Sequence, residues 1–326
     1  MTSQQEAQAM AVAAAAFWGN LATVPKLIAI RENIVFQVQF ADGRMAALRL
    51  HRAGYQSRAA IEAELEWTAK LAQAGLAVPA PLPDLSGAMT VVVGGRFVSV
   101  VDWISGTPIG AAAEVLQGSA KDQAGLYCGI GKLLGNLHKI TDSFSFSAGF
   151  SRPNWDVEGF IGPDPLWGRY WDNPALDAKE RALLLAARDQ LRQELPKTGG
   201  DCGLIHADVL RENILATADG LALIDFDDSG FGFRLYDLGT AIVQNLEEPH
   251  LGDIAAGLLE GYRQTRPEVQ VSARQLVMFT LLRGLASAGW VISRADATDP
   301  RQRLYAQRAL GIAKHFLDGS TPWNAQ

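Results

Sequence analysis

His206-Ala-Asp-Val-Leu-Arg-Glu-Asn213 runs directly into Ile214-Leu215, and a few residues later comes Leu223-Ile-Asp-Phe-Asp227. The first piece has the form His-x-Asp-x-x-x-x-Asn. The second is an apolar strand that ends in an acidic turn. Residues 216–220 between them read as the turn of a short hairpin, which can bring Asn213 and Asp225 to one cation. An amide oxygen and a carboxylate are hard ligands of the kind Mg2+ prefers, and that ion often takes only one or two from protein. Asp208 supplies a carboxylate that can orient a hydroxyl and accept its proton.

Upstream of this stretch the chain reads as strands with one helix. Residues 27–30 are a short apolar run, and 34–40 alternate apolar side chains with Gln, the period of a strand. Asp42-Gly43 is a hairpin signal, and 44–51 make the returning strand. Ser57 caps a helix over 58–74 that Gly75 stops. Pro79, Pro81 and Pro83 form an extended connector. Residues 89–93, the turn Gly94-Gly95 and 96–101 make a second hairpin. An Ala-rich surface helix over 6–18 precedes the strands. Composition shifts at 102–110, and helices follow over 122–140, 177–195, 248–263, 272–294 and 300–317. The expected division is an N-terminal nucleotide-binding lobe over 1–101, with its leading helix, and a catalytic and acceptor-binding lobe over 102–326.

The chain has 326 residues, enough for a substantial core without disulfides or a structural metal. With 48% hydrophobic residues it is not a disordered chain. Twenty-nine basic and 35 acidic residues leave a net charge of −6, with no basic block, so nucleic acid is not an expected partner. Cys128 and Cys202 fit no disulfide scaffold or metal spacing and are expected to be buried, reduced thiols, which points to the cytoplasm. The N-terminal stretch has no basic leader, since the first Lys or Arg is Lys26, and no apolar run is expected to cross a membrane. A homodimer remains open.

The pair of motifs resembles the catalytic loop and metal-binding loop of the protein-kinase fold. The chain as a whole resembles the aminoglycoside phosphotransferase/choline kinase-like superfamily, in its bacterial branch of homoserine-kinase-like and stress-response Ser/Thr kinases. The likeness is carried by Glu32-Asn-Ile-Val-Phe-Gln-Val38, Leu48-Arg-Leu-His-Arg52, Ala63-Glu-Leu-Glu-Trp67, Leu134-Gly-Asn-Leu-His138, the catalytic loop, Ile224-Asp-Phe-Asp-Asp228 and Tyr236-Asp-Leu-Gly239. It implies an α+β, bilobal fold with a small antiparallel sheet and one helix in the first lobe and a larger helical second lobe. It implies ATP and Mg2+ as cofactors and in-line transfer of the γ-phosphate to a hydroxyl of a small molecule. The alternatives are a Ser/Thr protein kinase of the stress-response type and a nucleotide-binding pseudokinase.

By this resemblance Asp208 is the base, and Asn213 and Asp225 hold the metal. Ala47 and Arg49 lie on the third strand facing the nucleotide, with Arg49 standing where kinases carry Lys. Two residues apart on a strand, they share a face. Glu64 is the expected helical partner of Arg49, with Glu62 and Glu66 as competitors. Val35 roofs the adenine, Leu215 and Ile224 floor it, and the hinge falls at Val101-Asp102-Trp103-Ile104. His206 is a scaffold of the loop rather than an acid or base, His138 is structural, and Asp237 holds the loop through backbone amides or a buried partner. Asp227 is open between metal support and substrate contact. The first β-turn, Arg31-Glu32-Asn33, lacks the glycines of protein kinases. Trp155, Trp167, Tyr170, Trp171, Glu247, Glu248 and Trp290 are candidates for an acceptor pocket that takes a cationic amine.

Overall fold

The computed structural model describes residues 4–30, 33–112, 114–197 and 200–324. The chain forms two compact units. The first holds residues 1–107, 144–152 and 216–227, and the second holds 108–143, 153–215 and 228–326.

In the first unit, helix α1 (Gln4–Ala15) precedes strands β1 (Lys26–Ile30), β2 (Ile34–Gln39) and β3 (Met45–Leu50). Helix α2 (Arg58–Gln73) and strands β4 (Val91–Val93) and β5 (Arg96–Asp102) follow. The sheet is antiparallel with order β1-β2-β3-β5-β4. Strand alternation sorts the side chains onto two faces. Ile34, Phe36 and Val38 of β2, with Ala46, Leu48 and Leu50 of β3, are buried in one cluster with Ala7, Ala11, Ala14 and Trp18. An Ala stripe lets α1 lie close on that face. The other face of the sheet presents Ala47, packed with Ile61 and Leu65 of α2, and Arg49. Ser57 caps α2 by accepting from the Ala60 amide, and Gly75 turns the chain at φ +86°. Gly43, at φ +90°, allows the tight return from β2 to β3.

The short strand β6 (Thr107–Pro108) is followed in the second unit by α3 (Ala120–Thr141), β7 (Asn154–Trp155), α4 (Val157–Ile161), α5 (Ala178–Glu194) and β8 (Cys202–Ile205). Strands β9 (Ile214–Thr217) and β10 (Gly220–Leu223) carry the chain back to the first unit. The remainder is β11 (Gly230–Phe233) and helices α6 (Leu235–Val243), α7 (Leu251–Thr265), α8 (Ala273–Trp290) and α9 (Pro300–Asp318). A small sheet has the order β7-β11-β8, with β11 parallel to β7 and antiparallel to β8.

Two expectations need correction. Cys202 is exposed and Cys128 only half-buried. Cys202 opens β8, whose burial begins only at its third residue, so the thiol lies at the unburied end of the strand. The segment Ala273–Ser293 is long and apolar enough to cross a membrane, although no such run was expected. Its apolar window is 72% buried within the protein, which makes it a core helix with apolar residues on all sides.

Candidate active site

In the first unit, Arg49 projects from β3 toward α2. One guanidinium arm donates to Glu64 Oε1 at 2.7 Å and the other to Asp225 Oδ1 at 2.9 Å, with Asp227 Oδ1 at 3.7 Å. The competitors of Glu64 are engaged elsewhere: Glu62 accepts from the Thr90 hydroxyl, and Glu66 from the Ser147 amide. Burial works against the Arg49 charge, but Glu64, Asp225 and Asp227 outweigh it and hold the guanidinium protonated beyond its ordinary range. Burial pushes the Glu64 and Asp227 carboxyls up, against the pull of Arg49.

The acidic turn is fixed from behind. Arg152 donates to the carbonyls of Ala60 (2.9 Å), Phe226 (3.2 Å) and Asp227 (2.6 Å). Gln56 donates to the carbonyl of Asp227 at 2.8 Å and to its carboxylate at 3.1 Å. Phe226 packs edge-on against Trp67, with ring centroids 5.2 Å apart. Asp225 has φ +66°, and its side chain keeps 44% of its surface exposed. Left-handed backbone at a non-glycine residue costs roughly 1–3 kcal/mol and persists only where the surroundings enforce it. Here the enforcing contacts hold the next two residues and leave the Asp225 carboxylate outward.

Val35, Ala47 and Ile224 are half-buried in this unit, as are Trp103 and Ile104, while Asp102 is exposed. Val35 pairs in register with Arg49, and Ala47 with Val101. Within the segment 101–104, the Asp102 amide donates to the Ala80 carbonyl and the Trp103 amide to that of Met45. Arg31 and Glu32 of the first turn lie outside the described residues, and Asn33 accepts from the Arg52 amide through its side chain.

In the second unit, Asp237 of α6 organises the catalytic loop. It is fully buried and accepts from the His206 amide at 2.9 Å and the Ala207 amide at 2.7 Å. His138 Nε2 lies 3.0 Å from the same carboxylate, and its Nδ1 lies 3.0 Å from the Tyr262 hydroxyl. Ala207 has φ +67°. Ala207 and Asp225 are the two non-glycine positions with left-handed backbone among the described residues, one in each motif. His206 Nδ1 accepts from the Asp208 amide at 3.2 Å, which ties the ring to its own loop.

The Asp208 carboxylate is held at both oxygens. Asn213 Nδ2 donates to Oδ2 at 2.8 Å, and Arg283 of α8 donates to Oδ1 at 2.7 Å. The same Asn213 nitrogen donates to the Asp208 carbonyl at 2.9 Å, which fixes the orientation of its side-chain amide. Leu215 is buried at 6% exposure. Asn213 and Asp225 each carry a hard oxygen of the kind Mg2+ prefers, and that ion draws most of its ligands from phosphate and water. No cluster of three or more His, Cys, Asp or Glu suited to a metal occurs among the described residues, which is compatible with so sparse a protein contribution.

The acceptor-pocket candidates divide. Trp155, Tyr170 and Trp171 are buried; Trp155 stacks on Tyr236 at 5.7 Å and meets Trp167 edge-on at 5.1 Å. Glu248 is buried and bonded to Arg211 at 2.5 Å and to the Leu116 amide at 2.9 Å, so it serves packing. Trp167 and Trp290 are half-buried, and Glu247 is exposed. Three arginines escaped the sequence reading: Arg152, Arg211 and Arg283. A single cation inside the apolar run of α8 was a visible signal for Arg283, because a buried helix admits a charge only with a partner. Arg152 and Arg211 had no such contrast with their surroundings.

Residues 4–271 match the family model described as the phosphotransferase enzyme family. The chain belongs to this family. Among solved structures, a microcompartment-associated aminopropanol kinase is 28% identical, covering 95% of this chain and 98% of its own, with a TM-score of 0.81. The amicoumacin kinase of Bacillus subtilis is 26% identical over 249 residues, 75% of this chain and 69% of that protein. A homoserine kinase of Rhizobium johnstonii is 27% identical over 216 residues, 62% of this chain and 60% of that protein. The chain is thus a phosphotransferase with the protein-kinase-like α+β fold that its motifs led us to expect.

Proposed function

We propose that this phosphotransferase moves the γ-phosphate of ATP to a hydroxyl of a small molecule of the amino acid, amino alcohol or aminosugar type. The observation that carries the reading is the Asp208 carboxylate, fixed at both oxygens in a loop that Asp237 braces. Aminopropanol and homoserine, the compounds for which two of the similar kinases are named, each bear an amine and a hydroxyl. Asp208 orients the acceptor hydroxyl and takes its proton. The acceptor oxygen forms a bond to the γ-phosphorus, and the bond from that phosphorus to the β,γ-bridging oxygen breaks, leaving ADP. Asn213 and Asp225 would hold Mg2+, which when bound offsets phosphate charge. Arg49 faces the phosphates from β3, steadied by Glu64. Val35, Ala47, Leu215 and Ile224 would enclose the adenine, and the backbone at 102–104 would meet its edge.

The test is Mg2+-dependent ATP consumption with homoserine, aminopropanol, choline, ethanolamine, aminosugars and a generic protein acceptor. A small-molecule signal that Asp208→Asn lowers by roughly 10²–10⁴-fold supports the reading. A signal with the protein acceptor alone, or one that Asp208→Asn leaves intact, refutes it.

A further inference from the structure

Arg283 enters the buried interior of α8 at 5% exposure. Its neighbours on the helix, Leu281, Leu282, Gly284 and Leu285, are apolar or small and buried. A guanidinium there loses its hydration, and ordinarily recovers the loss by satisfying all its arms. Arg211, in the same unit, does so: its three nitrogens donate to Asn245, to the Glu114 carbonyl and to Glu248. Arg283 does not. Nη2 donates to Asp208 at 2.7 Å, while Nε and Nη1 are buried without a hydrogen-bond partner. As a fold-stabilising ion pair the arrangement is poor. Its short hydrogen bond goes to the carboxylate proposed above as the base, with the Tyr236 hydroxyl close by.

The guanidinium is also held in orientation. Its carbon lies 4.7 Å from the centre of the Trp167 ring, and Trp167 is in turn braced by Trp155 at 5.1 Å. Burial opposes the Arg283 charge, but Asp208, Tyr236 and Asp228 sustain it, so the group remains a cation. Asn213 grips the opposite oxygen of Asp208 from within the loop. A carboxylate fastened at both oxygens cannot turn about its last bond, yet each oxygen keeps a lone pair for an incoming hydroxyl.

We propose that Arg283 is a positioning residue for phosphoryl transfer, which holds the Asp208 carboxylate in the orientation from which it meets the acceptor hydroxyl, with Trp167 holding Arg283. The inference rests on the reading of Asp208 as base. Misplacing a reacting group by about 1 Å can cost on the order of 100-fold in rate, so Arg283 acts on turnover rather than on nucleotide affinity.

The experiment compares Arg283→Met, Arg283→Lys and Asp208→Asn in the full-length chain. The acceptor probes are homoserine and aminopropanol, and Mg2+-dependent ATP hydrolysis with water as acceptor is measured beside them. Expected for Arg283→Met is a kcat lower by roughly 10- to 100-fold, with KM for ATP within about twofold of the wild type. The thermal midpoint should fall by a few degrees at most, since Asp208 keeps the Asn213 donor and some contact with solvent while Met fills the volume without unpaired donors. Arg283→Lys should recover part of the loss. Wild-type turnover in Arg283→Met beside an inactive Asp208→Asn overturns the role of Arg283 alone. Turnover that falls only in step with the thermal midpoint overturns it as well. Should Arg283→Met not fold, Arg283→Lys decides by the same split between kcat and KM. A fully active Asp208→Asn, or a wild type silent with every acceptor, overturns the base and Arg283 together.

Discussion

At the scale of single residues, this protein depends on arginines that bridge carboxylates. Arg49, expected at the place where kinases carry Lys, reaches Glu64 and Asp225 at once with its two arms. A planar fork can span two carboxylates, whereas a Lys ammonium is a point charge. Arg49→Met would leave Glu64 and Asp227 buried beside one another without the guanidinium that lies closest to both. We expect a loss of about 3–5 kcal/mol in stability by chemical denaturation, the usual result of stranding one side of a buried pair. Adding Glu64→Leu should restore part of it, because replacing both members by apolar groups is far less costly. A double variant as unstable as the sum of the single ones would mean that the two residues do not act as a pair.

At the scale of elements, strand β3 and its neighbour carry a pH dependence. His51 follows β3, buried and 2.8 Å from the Ser99 hydroxyl on β5. Burial, with the Arg49 charge nearby, pushes its pKa down to about 3 from the usual 6.5. The unfolded chain takes a proton at His51 below that usual value, and the folded chain does not until about pH 3. Stability therefore falls as pH drops through this window, by about 2 kcal/mol between pH 7 and pH 5 from this residue, and is indifferent to it above pH 7. His51→Gln keeps a partner for Ser99 and should give a shallower slope in urea midpoints against pH; parallel slopes would remove His51 as the cause. Helices α3 and α7 make a second case. A Cβ on Gly131 would meet the Leu258 carbonyl, and one on Gly261 the Cys128 carbonyl, whereas Gly125 has open space. Gly261→Ala should cost about 3 kcal/mol or somewhat more by overpacking against backbone. Gly125→Ala, also on α3, should gain up to about 1 kcal/mol from helix propensity. Equal effects of the two in urea denaturation would contradict close packing of these helices.

The same elements explain what the sequence could reveal. Strands β2 and β3 and helix α2 were legible because alternation, Asp42-Gly43 and the Ser57 cap are local signals. Glu64 was separable from Glu62 and Glu66 because it shares a helix face with Trp67 and Leu71, which are buried. Helix α6 was not legible as a helix: it is short and buried at every residue, so no polar face marks its period. The short strands β7, β8 and β11 depend on pairing between residues far apart in the chain. Arg283 was missed for a related reason, since its partner lies 75 residues away.

For the molecule as a whole, the consequential question is whether the folded chain binds Mg2+-ATP through the residues assigned to it. A ligand that binds only the folded state raises stability by roughly 2.7 kcal/mol at a hundred times its Kd. Saturating Mg2+-ATP should therefore raise the thermal midpoint by a few degrees. Asp225 presents its exposed carboxylate on backbone held by Arg152 and Gln56 through its neighbours. Asp225→Ala should thus leave the fold intact while abolishing most of the nucleotide-dependent rise. Asp208→Asn should keep that rise, because a base that meets the acceptor hydroxyl contributes little to holding the nucleotide. Chelating the metal with EDTA should bring the wild type down to the level of Asp225→Ala. A midpoint that rises equally in Asp225→Ala and the wild type would remove Asp225 from the metal site. A rise lost in Asp208→Asn would instead assign that carboxylate to nucleotide binding, and its role as base would have to be given up.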